Sequence, residues 1–245
     1  MNVLVIGATG CIGQAVARAL SMRGHRVVSA SRSLADGPRS LHVDYMQPVS
    51  PQAWASKLRD ARIDVVVNAV GILIATRTQT FERVHAQGPI ELFRGAALAG
   101  VRRIVQVSAL GVDVQALDVP YLASKLRADD ALAAIAGTDH AIVRPSLVVG
   151  PGSDSARLFA TLASMPVIGL PGRGRQMVQP IHVYEVAETI SRLVESAEPV
   201  HGVFELGGPS PVTYREMLAA YRRALGLSDA LWLPVPMPLM KAGAW

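Results

Sequence analysis

The sequence predicts an α/β fold, a doubly wound parallel sheet with helices on both faces and a small C-terminal lobe. Three observations predict it. Apolar, strand-like runs alternate with helix-like segments as far as Arg144-Pro145. A glycine-punctuated turn, Gly7-Ala-Thr-Gly10-Cys-Ile-Gly13, links the first run to the first helix. Beyond Pro145 the chain becomes short pieces broken by Gly150-Pro151-Gly152, Pro166, Gly169, Pro171-Gly172 and Gly174.

The strand readings are Val3–Ile6, Arg26–Ala30, Leu41–Val43, Asp64–Asn68, Arg103–Val107 and His140–Val143. Strands covered on both faces show continuous apolar runs, as Val3-Leu-Val-Ile6 does. Between them, helices are expected at Gln14–Met22, Pro51–Ala61, Phe81–Ala99 and Tyr121–Ala136. A helix near Val183–Glu195 is expected to return to the main domain, and one near Tyr214–Leu225 to belong to the lobe. The domain reading is therefore 1–150 with 183–200, against a lobe of 151–182 and 201–245. The apolar, proline-rich segment Trp232–Met240 leads to Trp245, and a frayed tail or a chain cut before a further segment both fit it.

Composition removes several function classes. With 245 residues, 50% hydrophobic and 18% charged, the chain suits one α/β domain with an appendage. The net charge is +5, yet Arg102-Arg103 and Arg222-Arg223 are the only adjacent basic pairs, so nucleic acid is not an expected partner. A single cysteine, Cys11, rules out an intrachain disulfide framework and fits a reducing, cytoplasmic compartment. The apolar run Val65–Ala75, interrupted by Asn68, is too short for a bilayer. The six histidines lack ligand spacing for a metal, and no serine sits in a Gly-x-Ser-x-Gly frame.

Two patterns carry chemistry. A strand, a glycine turn and a helix bring backbone amides and the positive end of the helix dipole together, where a diphosphate can approach. In such folds the end of the second strand discriminates between dinucleotides, an acid favouring NAD and an arginine accepting a 2′-phosphate. Here that end reads Ser29-Ala-Ser31-Arg32-Ser33 with no acid before Asp36, so NADP(H) is preferred and NAD(H) is the alternative. Second, Tyr121-Leu-Ala-Ser-Lys125 places a phenol and an ammonium one helical turn apart. A cation there is expected to lower the phenol pKa toward a range useful for proton transfer.

These motifs, with Asp64-Val-Val-Val-Asn68-Ala-Val-Gly71, Val107-Ser108-Ala-Leu-Gly111, Arg144-Pro-Ser-Leu-Val-Val-Gly-Pro-Gly152 and Gln179-Pro-Ile-His182-Val183, resemble the short-chain dehydrogenase/reductase superfamily. The similarity is to its extended or atypical, epimerase/dehydratase-like members with a Rossmann-type sheet, and to the branch containing the 39-kDa accessory subunit of respiratory complex I, a resemblance that implies a further, membrane-associated C-terminal segment as one reading of the ending. The resemblance implies that Gly7, Thr9, Gly10, Cys11, Ile12 and Gly13 form the diphosphate turn. It places Ser31, Arg32 and Asp44 at the adenosine end, and Asn68, Ala69, Val70 and Gly71 beside the adenosine and its ribose. Pro145 and Val148 fall near the nicotinamide ring, and Val107 is a further cofactor-binding residue. Lys125 would hold the nicotinamide ribose, and Tyr121 would donate or accept the proton.

The chain also departs from the family pattern. The hydroxyl that usually assists the tyrosine is replaced by Ala109, with Ser108 beside it as the remaining catalytic candidate. His85 stands near the usual asparagine, open between a polar relay and a packed histidine, and His182 is open between substrate contact and packing. Arg173 and Arg175 are open between an anionic substrate and solvent. Leu158, Phe159, Leu162, Met165 and Met177 are candidate substrate lining or ordinary core. The expected activity is an NADP-preferring oxidoreductase acting on a carbonyl or alcohol. The alternatives are a non-catalytic NADP(H)-binding regulatory or assembly subunit, and a nucleotide-sugar epimerase/dehydratase.

Overall fold

A computed structural model describes residues 1–236. In chain order the first elements are β1 (Asn2–Ile6), α1 (Cys11–Met22), β2 (Arg26–Ser31), β3 (Ser40–His42), α2 (Pro51–Asp60) and β4 (Val65–Asn68). A π-helical segment, Glu82–Gln87, leads into α3 (Gly88–Ala99), followed by β5 (Arg103–Val107), α4 (Pro120–Ala133) and β6 (Asp139–Pro145). Then come β7 (Val148–Val149), α5 (Asp154–Ser164), β8 (Val167–Pro171), β9 (Met177–Val178), β10 (Ile181–His182) and α6 (Val183–Glu195). The last elements are β11 (His201–Leu206), β12 (Val212–Thr213), α7 (Tyr214–Ala224) and β13 (Leu231–Val235). Of the apolar stretch Trp232–Met240, the residues from 237 to the terminal Trp245 lie outside the described residues.

The chain divides into two compact units, Met1–Pro145 with Val183–Leu206, and Ser146–His182 with the residues from Gly207 onward. The first unit is built on a seven-stranded sheet in the order β11-β6-β5-β4-β1-β2-β3. Every neighbouring pair is parallel. Alternation along β1 sends Leu4 and Ile6 into a core with Trp54 and Leu58 of α2, Leu92 and Phe93 of α3, and Leu132 of α4. Val3 and Val5, which alternate with them, are fully buried as well. Helix α1 packs against α6, and Arg23 and His25 at the end of α1 pair with Glu188 and Glu195 of α6.

Three features of the chain differ from the sequence reading. The expected continuous helix Phe81–Ala99 opens as the wider π segment before α3. Pro89 has no N–H to offer the His85 carbonyl four residues earlier, which removes an α-helical hydrogen bond at that point. Second, His201–Leu206 pairs with β6 in the main sheet, although the reading left it in the lobe. It is an edge strand whose exposure alternates, without the continuous apolar run of a central strand. Third, the first passage out of the main sheet falls after Pro145 and not after Gly150.

The second unit has its own small core, Ala163, Ile168, Leu170 and Leu218, with Phe159, Leu162, Tyr214, Tyr221 and Trp232 packed against it. Strand β8 pairs parallel with β13, β7 parallel with β10, and β9 antiparallel with β12. Buried Arg222 ties α7 to the end of α5, donating to the carbonyls of Ala163 and Met165 at 2.7 Å. Helix α7 opens with a capping box, Thr213 and Glu216 satisfying each other's backbone amides. Of the candidate lining residues, Phe159 and Leu162 belong to this core, while Leu158, Met165 and Met177 are exposed. Among the described residues no helix is long and apolar enough to cross a membrane.

Candidate functional site

The strand order of the first unit reverses between β1 and β4, and in open α/β sheets the crevice at such a point takes ligands. Gly7 leaves β1 at φ +81°, in the left-handed region that glycine reaches without cost. Its N–H donates to the Ala30 carbonyl at 2.8 Å, and the Gly10 N–H returns to the Gly7 carbonyl at 2.9 Å. A Cβ on Gly7 would lie 2.8 Å from the Ala69 backbone, and one on Gly13 would run into the Gly7 carbonyl. The turn is thus closed on the protein side. On the other side Gly10 caps α1 without a side chain, and the first turn of the helix carries no acid. A helix start left in this form suits an anion.

A cleft of about 220 Å³ opens over this turn. It gathers Gly7, Thr9 and Gly10, Ser31 and Arg32 from the end of β2, Asp44 from beyond β3, and Ala69, Val70 and Gly71 from beyond β4. Arg32 is exposed, and one Asp44 oxygen accepts from the Met46 N–H at 2.9 Å. The Ser31 hydroxyl meets that of Ser33 at 3.1 Å. Cys11, Ile12 and Gly13 form the start of α1 behind the lining. Sequence reasoning missed Val43, Tyr45, Ile72, Gln79 and Val84, which also line the cleft. The first three adjoin residues already singled out, whereas Gln79 and Val84 lie on the approach to α3, whose path no local signal announces.

Asn68 does not join this lining. It is fully buried at the end of β4, accepting from the Tyr45 hydroxyl at 2.9 Å and donating to the Gln106 side chain at 2.7 Å. A buried amide must satisfy its donors and acceptors, and here the protein interior does so.

Tyr121 and Lys125 lie one turn apart on α4, as their spacing requires. The Lys125 ammonium is buried, donates to the Val107 carbonyl at 3.3 Å, and faces the Tyr121 ring 5.6 Å from its centroid. Burial pulls the lysine pKa down to about 8, against the attraction of Asp129. Burial also pushes the phenol up to about 12, so the expected lowering by Lys125 does not occur. The cation sits over the ring face, and desolvation of the phenolate governs. Pro145 ends β6 in this unit, and Val148 lies on β7 in the second.

Ser108, the other catalytic candidate, has a partner inside the protein. Its buried hydroxyl donates to the Asp129 carboxylate at 2.8 Å. Arg144 donates to the same oxygen from Nε and Nη2, at 3.1 and 3.0 Å. The other Asp129 oxygen is buried with no hydrogen-bond partner among the described residues. Burial raises the Asp129 pKa, while Ser108, Arg144 and Lys125 work to lower it. Tyr121, Lys125 and Asp129 occupy successive turns of one helical face, so the carboxylate anchors the face that carries the tyrosine.

His85, buried within the π segment, is fully engaged. Its Nε2 accepts from the Ile72 N–H at 3.0 Å, which places the ring proton on Nδ1, 3.2 Å from the Ser124 hydroxyl. Ser124 in turn donates to the Tyr121 carbonyl at 2.8 Å. Desolvation, then Lys125, brings the histidine pKa down to about 3. The ring also stacks with Phe81 and meets Tyr121 edge-on at centroid distances of 5.4 and 5.2 Å. His85 is therefore a neutral tie between the loop after β4 and the start of α4.

Comparison with known proteins agrees with this geometry. The family described as NAD dependent epimerase/dehydratase matches residues 3–207. A 3-diazoavenalumate denitrifying reductase from a Streptomyces species is 28% identical, over 97% of this chain and 86% of that protein. The mitochondrial NADH-ubiquinone oxidoreductase 40 kDa subunit of Neurospora crassa is 26% identical over 98% of this chain, which spans only 66% of that subunit. Among solved structures, MoeE5 in complex with UDP-glucuronic acid and NAD superposes with a TM-score of 0.80. It is 21% identical and aligns over 96% of this chain and 86% of that one, so the likeness is of fold.

Proposed function

Because the chain belongs to the NAD dependent epimerase/dehydratase family, we propose that its first unit holds NADP(H) and that the protein is an oxidoreductase acting on a carbonyl or alcohol. The observation that carries this reading is the convergence of nine residues from four chain segments on one cleft above an uncapped helix. Exposed Arg32 at the end of β2 supports a preference for the 2′-phosphate, with NAD(H) as the alternative. The cofactor held in this cleft would supply the hydride chemistry. Tyr121, with its pKa near 12, is a neutral phenol at pH 7 and acts as the proton donor to a substrate oxygen. That favours reduction, the direction named in the Streptomyces relative. Lys125, with its pKa near 8, is mostly an ammonium at pH 7 and can donate to ribose hydroxyls.

Two observations favour a second reading, a subunit that holds NADP(H) without turning it over. Position 109 offers no hydroxyl, and the Ser108 hydroxyl is already committed to Asp129. The fungal relative is itself a subunit of a larger oxidoreductase. A nucleotide-sugar epimerase or dehydratase has the fold likeness to MoeE5 in its favour.

Fluorescence titration of cofactor-stripped protein with NADPH and NADH tests the common core of these readings. The expected result is a preference for NADPH that Arg32→Ala reduces by about tenfold or more, the effect of losing one charge-assisted contact. Binding of neither nucleotide would overturn all three. Tyr121→Phe then separates them, since turnover should be lost in an enzyme and cofactor retention kept in either case.

A further inference from the structure

His140 and His201 form a pair that neither the cleft nor the Tyr121 face uses. They are directly opposed in the parallel register of β6 and β11, so both side chains project from one face of the sheet. Their rings meet edge-on, with centroids 5.0 Å apart and an interplanar angle of 74°. The two Nδ1 atoms face each other at 3.5 Å. That is well beyond the roughly 2.9–3.0 Å usual for a hydrogen bond donated by N–H. It is close to the separation of about 3.4 Å between two nitrogens that each lie about 2.0–2.1 Å from one tetrahedral metal ion.

The surroundings suit both rings to act as ligands. A metal-bound imidazole keeps its proton on the other ring nitrogen, where a carboxylate commonly accepts it. Here Nε2 of His201 lies 3.5 Å from Asp139 Oδ1. The second Asp139 oxygen takes Arg103 at 2.7 Å and the Val200 N–H at 3.4 Å, so the nearby guanidinium charge is already offset. Desolvation, then His201, holds the His140 pKa below the ordinary histidine value, which leaves that ring neutral near pH 7. A neutral imidazole can coordinate without first losing a proton. His140 is buried and His201 exposed, so the pair is fixed on one side and open to solvent on the other.

We propose that His140 and His201 bind a transition-metal dication, Zn(II) or its neighbours Ni(II) and Cu(II), through their two Nδ1 atoms. Imidazole nitrogen suits these ions, whereas magnesium and calcium prefer oxygen. Among the described residues no group of three histidine, cysteine or carboxylate side chains is placed to hold a metal, so water completes the coordination. The ion bridges β11, an edge strand with one neighbour, to β6 and so adds a clamp to its backbone ladder. Both histidines lie near the start of their strands, whereas the cleft gathers at the far ends of β1, β2 and β4. The site is therefore independent of the nucleotide. Its ligands are 61 residues apart in the chain, which is why histidine spacing does not announce it.

Calorimetric titration of the full chain with zinc chloride, near neutral pH in a non-coordinating buffer, tests the proposal. The wild type should show one saturable site, and His201→Gln and His140→Ala should each weaken it by about tenfold or more. His42→Ala, at an exposed histidine of β3, should bind as the wild type does. Melting curves give a second reading. Zinc at about a hundredfold excess over Kd should raise the wild-type melting temperature by about 5 °C or more, and that of His201→Gln by no more than about 1 °C. His201→Gln alters an exposed side chain, so it carries the test by itself if His140→Ala fails to fold. Absence of saturable heat in the wild type would overturn the site and leave the histidines as a packed pair. So would zinc affinity or stabilisation that survives His201→Gln, which would put the ion elsewhere.

Discussion

The glycine-turn cleft and the Tyr121 face both belong to the first unit, yet they use their polar groups in opposite ways. At the cleft, a helix start has no side-chain cap and no acid, and Arg32 stands exposed. Around Tyr121 the polar groups are already partnered: Ser108 by Asp129, His85 by Ile72 and Ser124, and Lys125 by the Val107 carbonyl. One region is ready for a ligand, and the other spends its hydrogen bonds holding a helix in place. Cofactor binding can therefore survive changes that remove chemistry, which is why a binding-only protein remains the rival of an enzyme here.

The sharpest way to break the contrast is the acid response of His85. Its folded pKa near 3 lies below the unfolded value of 6.5, so its contribution is present above pH 6.5 and lost as pH falls toward 3. The shift corresponds to about 4 kcal/mol by pH 3, so the stability gap between wild type and His85→Asn should shrink steadily over that range. A gap independent of pH would mean that His85 is not held neutral. Next in size is Asp129→Ala. Removing the buried carboxylate leaves half-buried Arg144 and the buried Ser108 hydroxyl without their partner, and urea unfolding should show a loss of about 3 kcal/mol. An effect below about 1 kcal/mol would mean the Tyr121 face is not anchored as described.

On the cleft side, Gly13→Ala drives a methyl group into the Gly7 carbonyl. Overpacking of this kind costs about 1–3 kcal/mol. It should abolish NADPH binding in the same fluorescence titration, and a variant that binds normally would detach the turn from the cofactor. The smallest effect on stability belongs to Ala109→Ser, expected within about 0.5 kcal/mol of the wild type. Its value lies in turnover. A rise in NADPH consumption with carbonyl substrates is expected, and an unchanged rate would favour the binding-only protein.

What the sequence revealed follows from range. The central strands were legible because residues buried on both faces leave an unbroken apolar run, and the turn because its glycines are adjacent in the chain. Edge strand β11 escaped because its exposure alternates. The π segment escaped because Phe81–Ala99 keeps a helical pattern across it. At the site, the partners of Asn68 and Ser108 were hidden for a common reason. Gln106 and Asp129 lie 38 and 21 residues away, and nothing local shows that a polar side chain has been claimed from such a distance.

The path of the chain between β6 and α6 also bears on biosynthesis. The first unit is interrupted at Pro145 and resumes at Val183, after part of the second unit has been made. Helix α1 emerges from the ribosome early, but α6, the helix it packs against, is joined to it by pairs such as Arg23 with Glu188, 165 residues apart. At about 5–20 residues per second, the apolar side of α1 waits roughly ten to thirty seconds for its cover. During that interval the nascent chain exposes an apolar surface that can aggregate, and slowing translation before Val183 should raise aggregation more than slowing it after Leu206.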